Sequence, residues 1–179
     1  MSMAASRPRF KAARFKAARI VLMGVAGCGK SSVGAALSAA TGLPYRDADA
    51  LHPAANVAKM RRGEALTDAD RWPWLEQVAL MLASNGGITG CSALKRAYRD
   101  LIRTHAGGAV TFVHLSGIRA VIAARMRARK GHFMPPTLLD SQFAALEVPG
   151  AEEGAVTVDI DQPLDAVVAE IVTKLRGVE

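Results

Sequence analysis

Residues 24–31 carry the most specific chemical pattern in the sequence. They read GVAGCGKS, which matches G-x-x-x-x-G-K-[ST], and they follow an apolar run at 20–23 that is typical of a buried strand. In such a loop, backbone N–H groups and the next helix N-terminus surround a phosphate, Lys30 reaches the outer phosphates and Ser31 binds Mg²⁺. The sequence therefore predicts a nucleotide-phosphate site formed by Gly24, Val25, Ala26, Gly27, Cys28, Gly29, Lys30, Ser31 and Ser32.

An acidic pair offers the means to activate an acceptor. Asp47 and Asp49 lie two residues apart at the end of a short predicted strand, where ligands bind in open α/β sheets. Side chains at i and i+2 share one side of a strand, so we expect one carboxylate to serve Mg²⁺ and the other to accept a proton from an attacking hydroxyl. A pair of turn-capping aspartates is the alternative. His52 follows this pair and is a candidate polar ligand.

Basic residues recur at spacings that suit an anionic ligand. Arg71 stands at the start of a predicted helix, and a fixed guanidinium suits bidentate binding of a carboxylate. Lys95 and Arg99 are four residues apart and so share one face of a predicted helix, as do Arg125 and Arg129. A solvated basic face is the alternative for the first of these pairs.

The elements that must position these residues alternate between strands and helices. Strands are predicted at 20–23, 43–49, 86–92, 109–115 and 155–160. Helical patterns occupy 31–42, 53–85 with a break near 61–70, 93–105, 117–130 and 164–175. This alternation indicates one α/β domain with a parallel sheet covered on both faces. The last helix has an apolar stripe of Leu164, Val167, Val168, Ile171, Val172 and Leu175.

The third strand is the weakest of these predictions. Thr89 and Gly90 stand where a buried strand would favour valine or isoleucine.

The charge of the chain is concentrated at its beginning. Six of the net +7 charges lie in residues 1–19, which contain no acid and repeat RFKAA at 9–13 and 14–18. We expect residues 1–18 to be a flexible basic tail; a targeting segment or an anchor to an anionic surface is the alternative. No apolar run approaches the ~20 residues of a membrane span. Cys28 and Cys91 make no disulfide framework, so a soluble cytoplasmic protein is expected.

Six motifs, taken in order, resemble the gluconokinase family, which is related in fold to shikimate and adenylate kinases. They are GVAGCGKSS, DADALHP, GEALTDADRWPWL, CSALKRAYRD, ARKGHFMPPTLLDSQFAALE and VDIDQP. The resemblance implies a P-loop NTPase fold of the nucleoside-monophosphate-kinase type, with a five-stranded parallel sheet. It also implies that residues 19–179 form one kinase domain with a helical substrate cap at about 50–85 and a lid at about 129–147.

The resemblance further implies that the γ-phosphoryl group of ATP passes to the 6-hydroxyl of D-gluconate with Mg²⁺, giving 6-phosphogluconate and ADP. Lys30 and Arg125 or Arg129 would then contact the γ-phosphate, Ser31 and Asp47 would hold Mg²⁺, and Asp49 would be the base. Gluconate would be held by His52, Arg71, Lys95, Arg99 and His132. Gln162 and Pro163 would border the adenine. No nucleic-acid or membrane partner is implied, and a homodimer is compatible with the family.

The sequence departs from the family pattern at three places, one of which is Thr89 and Gly90 in the third strand, and it leaves other functions open. Ala48 replaces a usual glycine in the acidic motif, and the stretch between Arg71 and Cys91 is shorter than expected. A shikimate kinase, a nucleoside monophosphate kinase and a nonenzymatic nucleotide-binding protein that uses the basic tail are the alternatives.

Overall fold

Five short strands form a single parallel sheet in the computed structural model, which describes residues 18–128 and 136–177. The strands are β1 Arg19–Met23, β2 Tyr45–Asp47, β3 Gly87–Gly90, β4 Thr111–Ser116 and β5 Val156–Asp159. Their spatial order is β2-β3-β1-β4-β5, and every neighbouring pair is parallel. The predicted fold class is therefore confirmed.

Within the described residues, seven helices connect or follow the strands. They are α1 Lys30–Thr41, α2 Ala54–Arg61, α3 Asp68–Asn85, α4 Arg96–His105, α5 Arg119–Ala128, α6 Pro136–Ala145 and α7 Leu164–Arg176. Helix α6 was not predicted as a separate helix, because its residues were expected only to be part of a lid at about 129–147. Proline is tolerated at the first position of a helix, where its missing N–H costs no hydrogen bond, and α6 begins at Pro136.

The alternation of side chains along β1 divides the core into two clusters. Ile20 and Leu22 pack with α1 and α7 on one face, whereas Val21 and Met23 pack with α3 and α4 on the other. The predicted stripe of α7 faces the first cluster from Val167 onward. Leu164 is the exception, because it is 45% exposed at the first position of the helix.

The composition of β3 is explained by the neighbouring strand. A Cβ at Gly90 would lie 2.5 Å from the hydroxyl oxygen of Tyr45, which is on β2. A larger residue at Gly90 would therefore displace Tyr45. With glycine at this position, all four residues of β3 are buried in the sheet. Helix α3 ends at Asn85 and β3 begins at Gly87, so one glycine forms the short connection noted in the sequence.

A buried ion cluster joins α4 to the segment before β5. Arg99 is fully buried and donates to both carboxylate oxygens of Glu153 at 2.7 Å, and its side chain also donates to the carbonyls of Ala93 and Leu94. Arg103 contacts the same carboxylate at 3.1 Å. The prediction that Arg99 binds substrate is therefore wrong: the guanidinium has its hydrogen bonds inside the fold and no access to a ligand.

We expect Arg99→Met to lower the free energy of unfolding by about 3 kcal/mol, because it leaves a buried carboxylate with only one cation. The matched control is Arg96→Met, since Arg96 is 52% exposed in its ion pairs and should contribute about 0.5 kcal/mol. Urea unfolding followed by circular dichroism measures both. Equal losses in the two variants would contradict a buried structural role for Arg99.

The same pair predicts a pH dependence of stability. Hydrogen bonds from Arg99 lower the pKa of Glu153 from 4.5 to about 2. The stabilisation is therefore present above pH 4.5 and is lost as the pH falls towards 2, where the carboxylate takes up a proton. Unfolding curves for Arg99→Met should show a smaller loss of stability across this pH range than those of the parent chain.

Candidate active site

The phosphate-binding loop, residues 24–31, lies between the end of β1 and the start of α1. Gly24, Gly27 and Gly29 have φ angles of 141°, 80° and 98°, which side chains other than glycine rarely adopt. A Cβ at Gly27 would also lie 2.5 Å from the Cγ atom of Met126 on α5, so the tip of the loop is closely covered. The Nζ atom of Lys30 donates to the carbonyls of Gly24 and Val25 at 3.0 and 3.1 Å. The lysine is thus held within the loop.

The two residues predicted to bind Mg²⁺ are adjacent. The hydroxyl of Ser31 donates to the Oδ2 atom of Asp47 at 3.3 Å. Both are oxygen donors of the kind that Mg²⁺ prefers, and this ion commonly takes only one or two protein ligands together with substrate phosphates. No group of three His, Cys, Asp or Glu side chains that could hold a metal ion occurs in residues 18–128 and 136–177. The pair therefore fits Mg²⁺ bound beside a nucleotide.

Asp49 reaches the same cleft by a different local structure from the predicted one. It lies in a 3₁₀ turn, Ala48–Leu51, and its backbone N–H donates to the carboxylate of Asp47 at 3.0 Å. The two aspartates therefore do not share a strand face, and Asp47 does cap a turn. Ala48 is fully buried, and its carbonyl accepts a hydrogen bond from Trp74 Nε1 at 2.8 Å. The methyl group that Ala48 adds in place of the usual glycine therefore lies in the core and not in the cleft.

The environment of Asp49 favours proton uptake. Partial loss of water in the cleft and then the charge of Asp47 raise the pKa of the Asp49 carboxyl, against the charge of Lys30. The side chain remains 76% exposed, so an incoming hydroxyl has access to it. These are the properties required of a general base near the phosphate loop.

His52 is fixed in position and in tautomer. Its ring stacks on Trp74 with centroids 4.0 Å apart. Its Nδ1 atom lies 3.3 Å from the Nδ2 atom of Asn56, which also donates to the Asp70 carbonyl at 2.8 Å. Because an amide nitrogen only donates, Nδ1 must accept and the proton is assigned to Nε2, which lies 3.9 Å from Asp49. Burial and then Arg71 lower the His52 pKa to about 4, so the neutral ring presents an N–H.

Arg71 contributes a cation that the fold does not neutralise. Its guanidinium lies 5.7 Å from the ring centroid of Tyr98, and it forms no ion pair with any carboxylate in the described part of the chain. A capping box between Thr67 and Asp70 fixes the start of α3, and Lys59 ties Asp70 to α2 at 2.8 Å. The beginning of α3 is therefore well held, as a binding guanidinium requires.

These groups line one cleft of about 690 Å³. It runs from the phosphate loop past Asp47, Asp49 and His52 to Arg71. The connection after α2 and one side of α6 complete its wall, through residues 60–66, Leu138, Ser141 and Gln142.

Four further predicted ligands lie away from this cleft. Lys95 precedes the first turn of α4 and contacts Asp68 at 2.9 Å, so it does not share a helix face with Arg99. Arg125 donates to the carbonyl of Ile160 just after β5, next to the predicted adenine loop rather than the phosphate loop. In that loop Gln162 donates to Glu170 and the Asp159 carbonyl, both at 2.8 Å, and Pro163 precedes α7.

Some predicted residues lie outside the described part of the chain, namely Arg129, His132 and the basic tail up to residue 17. Two residues of the site were missed. Asn56 orients His52, and its position four residues after the histidine was the only available signal. Gln142 accepts a hydrogen bond from the backbone N–H of Ala26 at 2.6 Å, and nothing in the spacing of the sequence connects these residues.

Comparisons with known proteins show what the chain is similar to. A family model described as shikimate kinase matches residues 26–175. The chain is 44% identical over 166 residues to the gluconokinase of Gluconobacter oxydans (strain 621H), covering 88% of this chain and 91% of that protein. It is 43% identical over 162 residues to the thermoresistant gluconokinase of Escherichia coli (strain K12), covering 87% and 92%. A crystal structure of a gluconokinase from Sinorhizobium meliloti 1021 superposes with a TM-score of 0.85 at 48% identity, covering 90% and 93% of the two chains.

We expect Asn56→Asp to raise the pKa of His52 by about one to three units, because a carboxylate would then face Nδ1 and stabilise the imidazolium. Proton NMR of the ring Cε1–H measures the titration. The matched control, Asn85→Asp, changes an asparagine at the end of α3 whose side chain contacts Met81 and should leave His52 unaffected. A parent His52 that titrates near 6.5 would contradict the assigned hydrogen bonds.

Proposed function

We propose that this chain, which belongs to the gluconokinase family, transfers the γ-phosphoryl group of ATP to the 6-hydroxyl group of D-gluconate, giving 6-phosphogluconate and ADP. The resemblance recognised in the six sequence motifs is confirmed by the matches across 26–175 and by relatives at more than 40% identity. One observation carries the proposal for the reaction. A phosphate loop, the accessible carboxylate of Asp49 and Arg71, which pairs with no acid among the described residues, line the same cleft.

The phosphate end of the cleft supports ATP as the donor. Phosphoryl transfer depends mainly on positioning and on stabilising charge that spreads over the equatorial oxygens. Lys30 now donates to two loop carbonyls, and phosphate oxygens would take their place as stronger, charged acceptors. Ser31 and Asp47 would hold Mg²⁺, which supplies neutralisation of the phosphate charge.

The acceptor end supports a hydroxyl on an anionic molecule. The oxygen of the 6-hydroxyl attacks the γ-phosphorus, the bond to the bridging oxygen breaks, ADP leaves and the hydroxyl proton passes to Asp49. The Nε2–H group of His52 is presented to this region and would orient a hydroxyl or the Asp49 carboxylate. Arg71 would bind the carboxylate at the other end of gluconate.

The remaining contacts are assigned by position. We infer that Arg125, Gln162 and Pro163 border the adenine, because Arg125 is bound at the end of β5 just before this loop. Lys95 contacts Asp68 at 2.9 Å and lies 5.7 Å from the ring centroid of Tyr98, and we keep it as a candidate ligand of the acceptor. Arg129 and His132 would add contacts from the segment between α5 and α6, and Arg99 has no part in binding.

No helix in the described residues is long and apolar enough to cross a membrane. We propose the cytoplasm as the place of the reaction.

Release of ADP tests the acceptor directly. With Mg²⁺-ATP we expect release with D-gluconate and none above background with shikimate, AMP or buffer. Asp49→Asn should lower kcat by about 10²- to 10⁴-fold, because it removes the proton acceptor. The control is Asp100→Asn, which changes an exposed aspartate on α4. Release with shikimate instead of gluconate would establish the main alternative, and bound nucleotide without release would exclude a kinase.

The role of Arg71 is tested with an acceptor that lacks the carboxylate of gluconate. Arg71→Met should lower kcat/KM for D-gluconate by about 10- to 100-fold, because a charge-assisted bidentate contact is lost. Any turnover of D-glucitol, in which a hydroxymethyl group replaces the carboxylate, should not change. Arg127→Met is the matched control, since Arg127 is exposed on α5. Equal losses with both acceptors would show that Arg71 does not bind the carboxylate.

A further inference from the structure

Helix α6 brings a neutral side chain to the phosphate loop. The Oε1 atom of Gln142 accepts a hydrogen bond from the backbone N–H of Ala26 at 2.6 Å. Ala26 is the third residue of the loop, and it lines the cleft. Gln142 also lines this cleft, together with Lys30 and Asp49.

This hydrogen bond fixes the orientation of the carboxamide. The Ala26 N–H only donates, so the atom that faces it is the oxygen of the amide and not its nitrogen. The Nε2 group, with two N–H donors, therefore points away from Ala26. Among residues 18–128 and 136–177 no acceptor binds it.

The helix that carries Gln142 is anchored on both sides of it. Arg119 on α5 forms an ion pair with Asp140, two residues before Gln142. Beyond the end of α6, the backbone N–H of Glu147 donates to the Leu94 carbonyl at 2.8 Å, and its carboxylate accepts from the N–H of Arg96 at 2.6 Å. The carboxamide is thus presented from a held helix, as a side chain that contacts a reacting group must be.

We propose that Gln142 is a further catalytic residue, which holds Ala26 through Oε1 and donates from Nε2 to the phosphoryl group as it is transferred. The inference rests on the proposed function in taking phosphoryl transfer as the reaction. Negative charge spreads over the oxygens of that group in the transition state, and a preorganised donor stabilises it there. A carboxamide supplies this donor without a proton that titrates near neutral pH.

The γ-phosphoryl group distinguishes this role from a structural one. ATP carries the group that Nε2 would contact, whereas ADP lacks it. A residue that only supported the loop would affect both nucleotides equally. A residue that contacts the transferred group would affect ATP selectively.

Gln142→Glu is the most informative change, because the carboxylate can still accept from Ala26 while its second oxygen turns a negative charge towards the phosphoryl group. Dissociation constants are measured by calorimetry for ADP and for an ATP analogue with a β,γ-imido bridge. We expect the analogue to bind about 10- to 100-fold more weakly and ADP to change by less than about threefold. Gln142→Met, which keeps the length of the side chain without donors or acceptor, should lower kcat by about 10²-fold.

Gln77→Glu is the matched control, since Gln77 is exposed on α3. Equal weakening of both nucleotides by Gln142→Glu, or no change in either, would overturn the inference. If Gln142→Glu does not fold, an unchanged kcat in folded Gln142→Met would overturn it as well. The nucleotide measurements contain no acceptor, so they stand even where the assay with D-gluconate fails.

Discussion

The constraint on which the site depends is the parallel arrangement of all five strands. Parallel neighbours cannot be joined by a tight turn, so each connection returns along a face of the sheet and each strand ends at the same edge. With β1 in the centre, the phosphate loop leaves the middle of that edge, and the turn containing Asp49 leaves β2 two positions away. The groups that would contact donor and acceptor therefore meet without a dedicated binding domain.

Within this frame one buried side chain positions the groups at the acceptor end. Trp74 is 1% exposed, donates to the carbonyl of Ala48 and stacks beneath His52. The indole therefore holds the turn on which Asp49 stands and sets the plane of the imidazole. Asn56 then fixes which nitrogen carries the proton. The buried Trp74 ring therefore fixes the orientation of Asp49 and His52, two polar residues that line the cleft.

The sequence predicted best those features that depend on local pattern. The strands and the loop around Lys30 follow from short-range patterns, and the structure has them. The pairing of Ser31 with Asp47 was instead implied by the family resemblance, and the two side chains are in contact. The contacts of Asn56 and Gln142 do not, because they join segments that the chain brings together only through tertiary packing. Gln142 and Ala26 are 116 residues apart in the sequence. Helix α6, which carries Gln142, begins at a proline, and this residue type did not indicate a helix.

The basic residues show why spacing alone could not assign the acceptor site. Lys95 and Arg99 have helical spacing, yet each meets a carboxylate from a distant segment, Asp68 or Glu153. Arg99 instead supports the cleft from behind, since it donates to the carbonyl of Ala93, whose φ of 43° belongs to the turn beside Ser92. Arg71 has no such partner in the described residues. A buried cation with an acidic partner is already neutralised, whereas Arg71 still requires an anion, and an acceptor carboxylate would provide one.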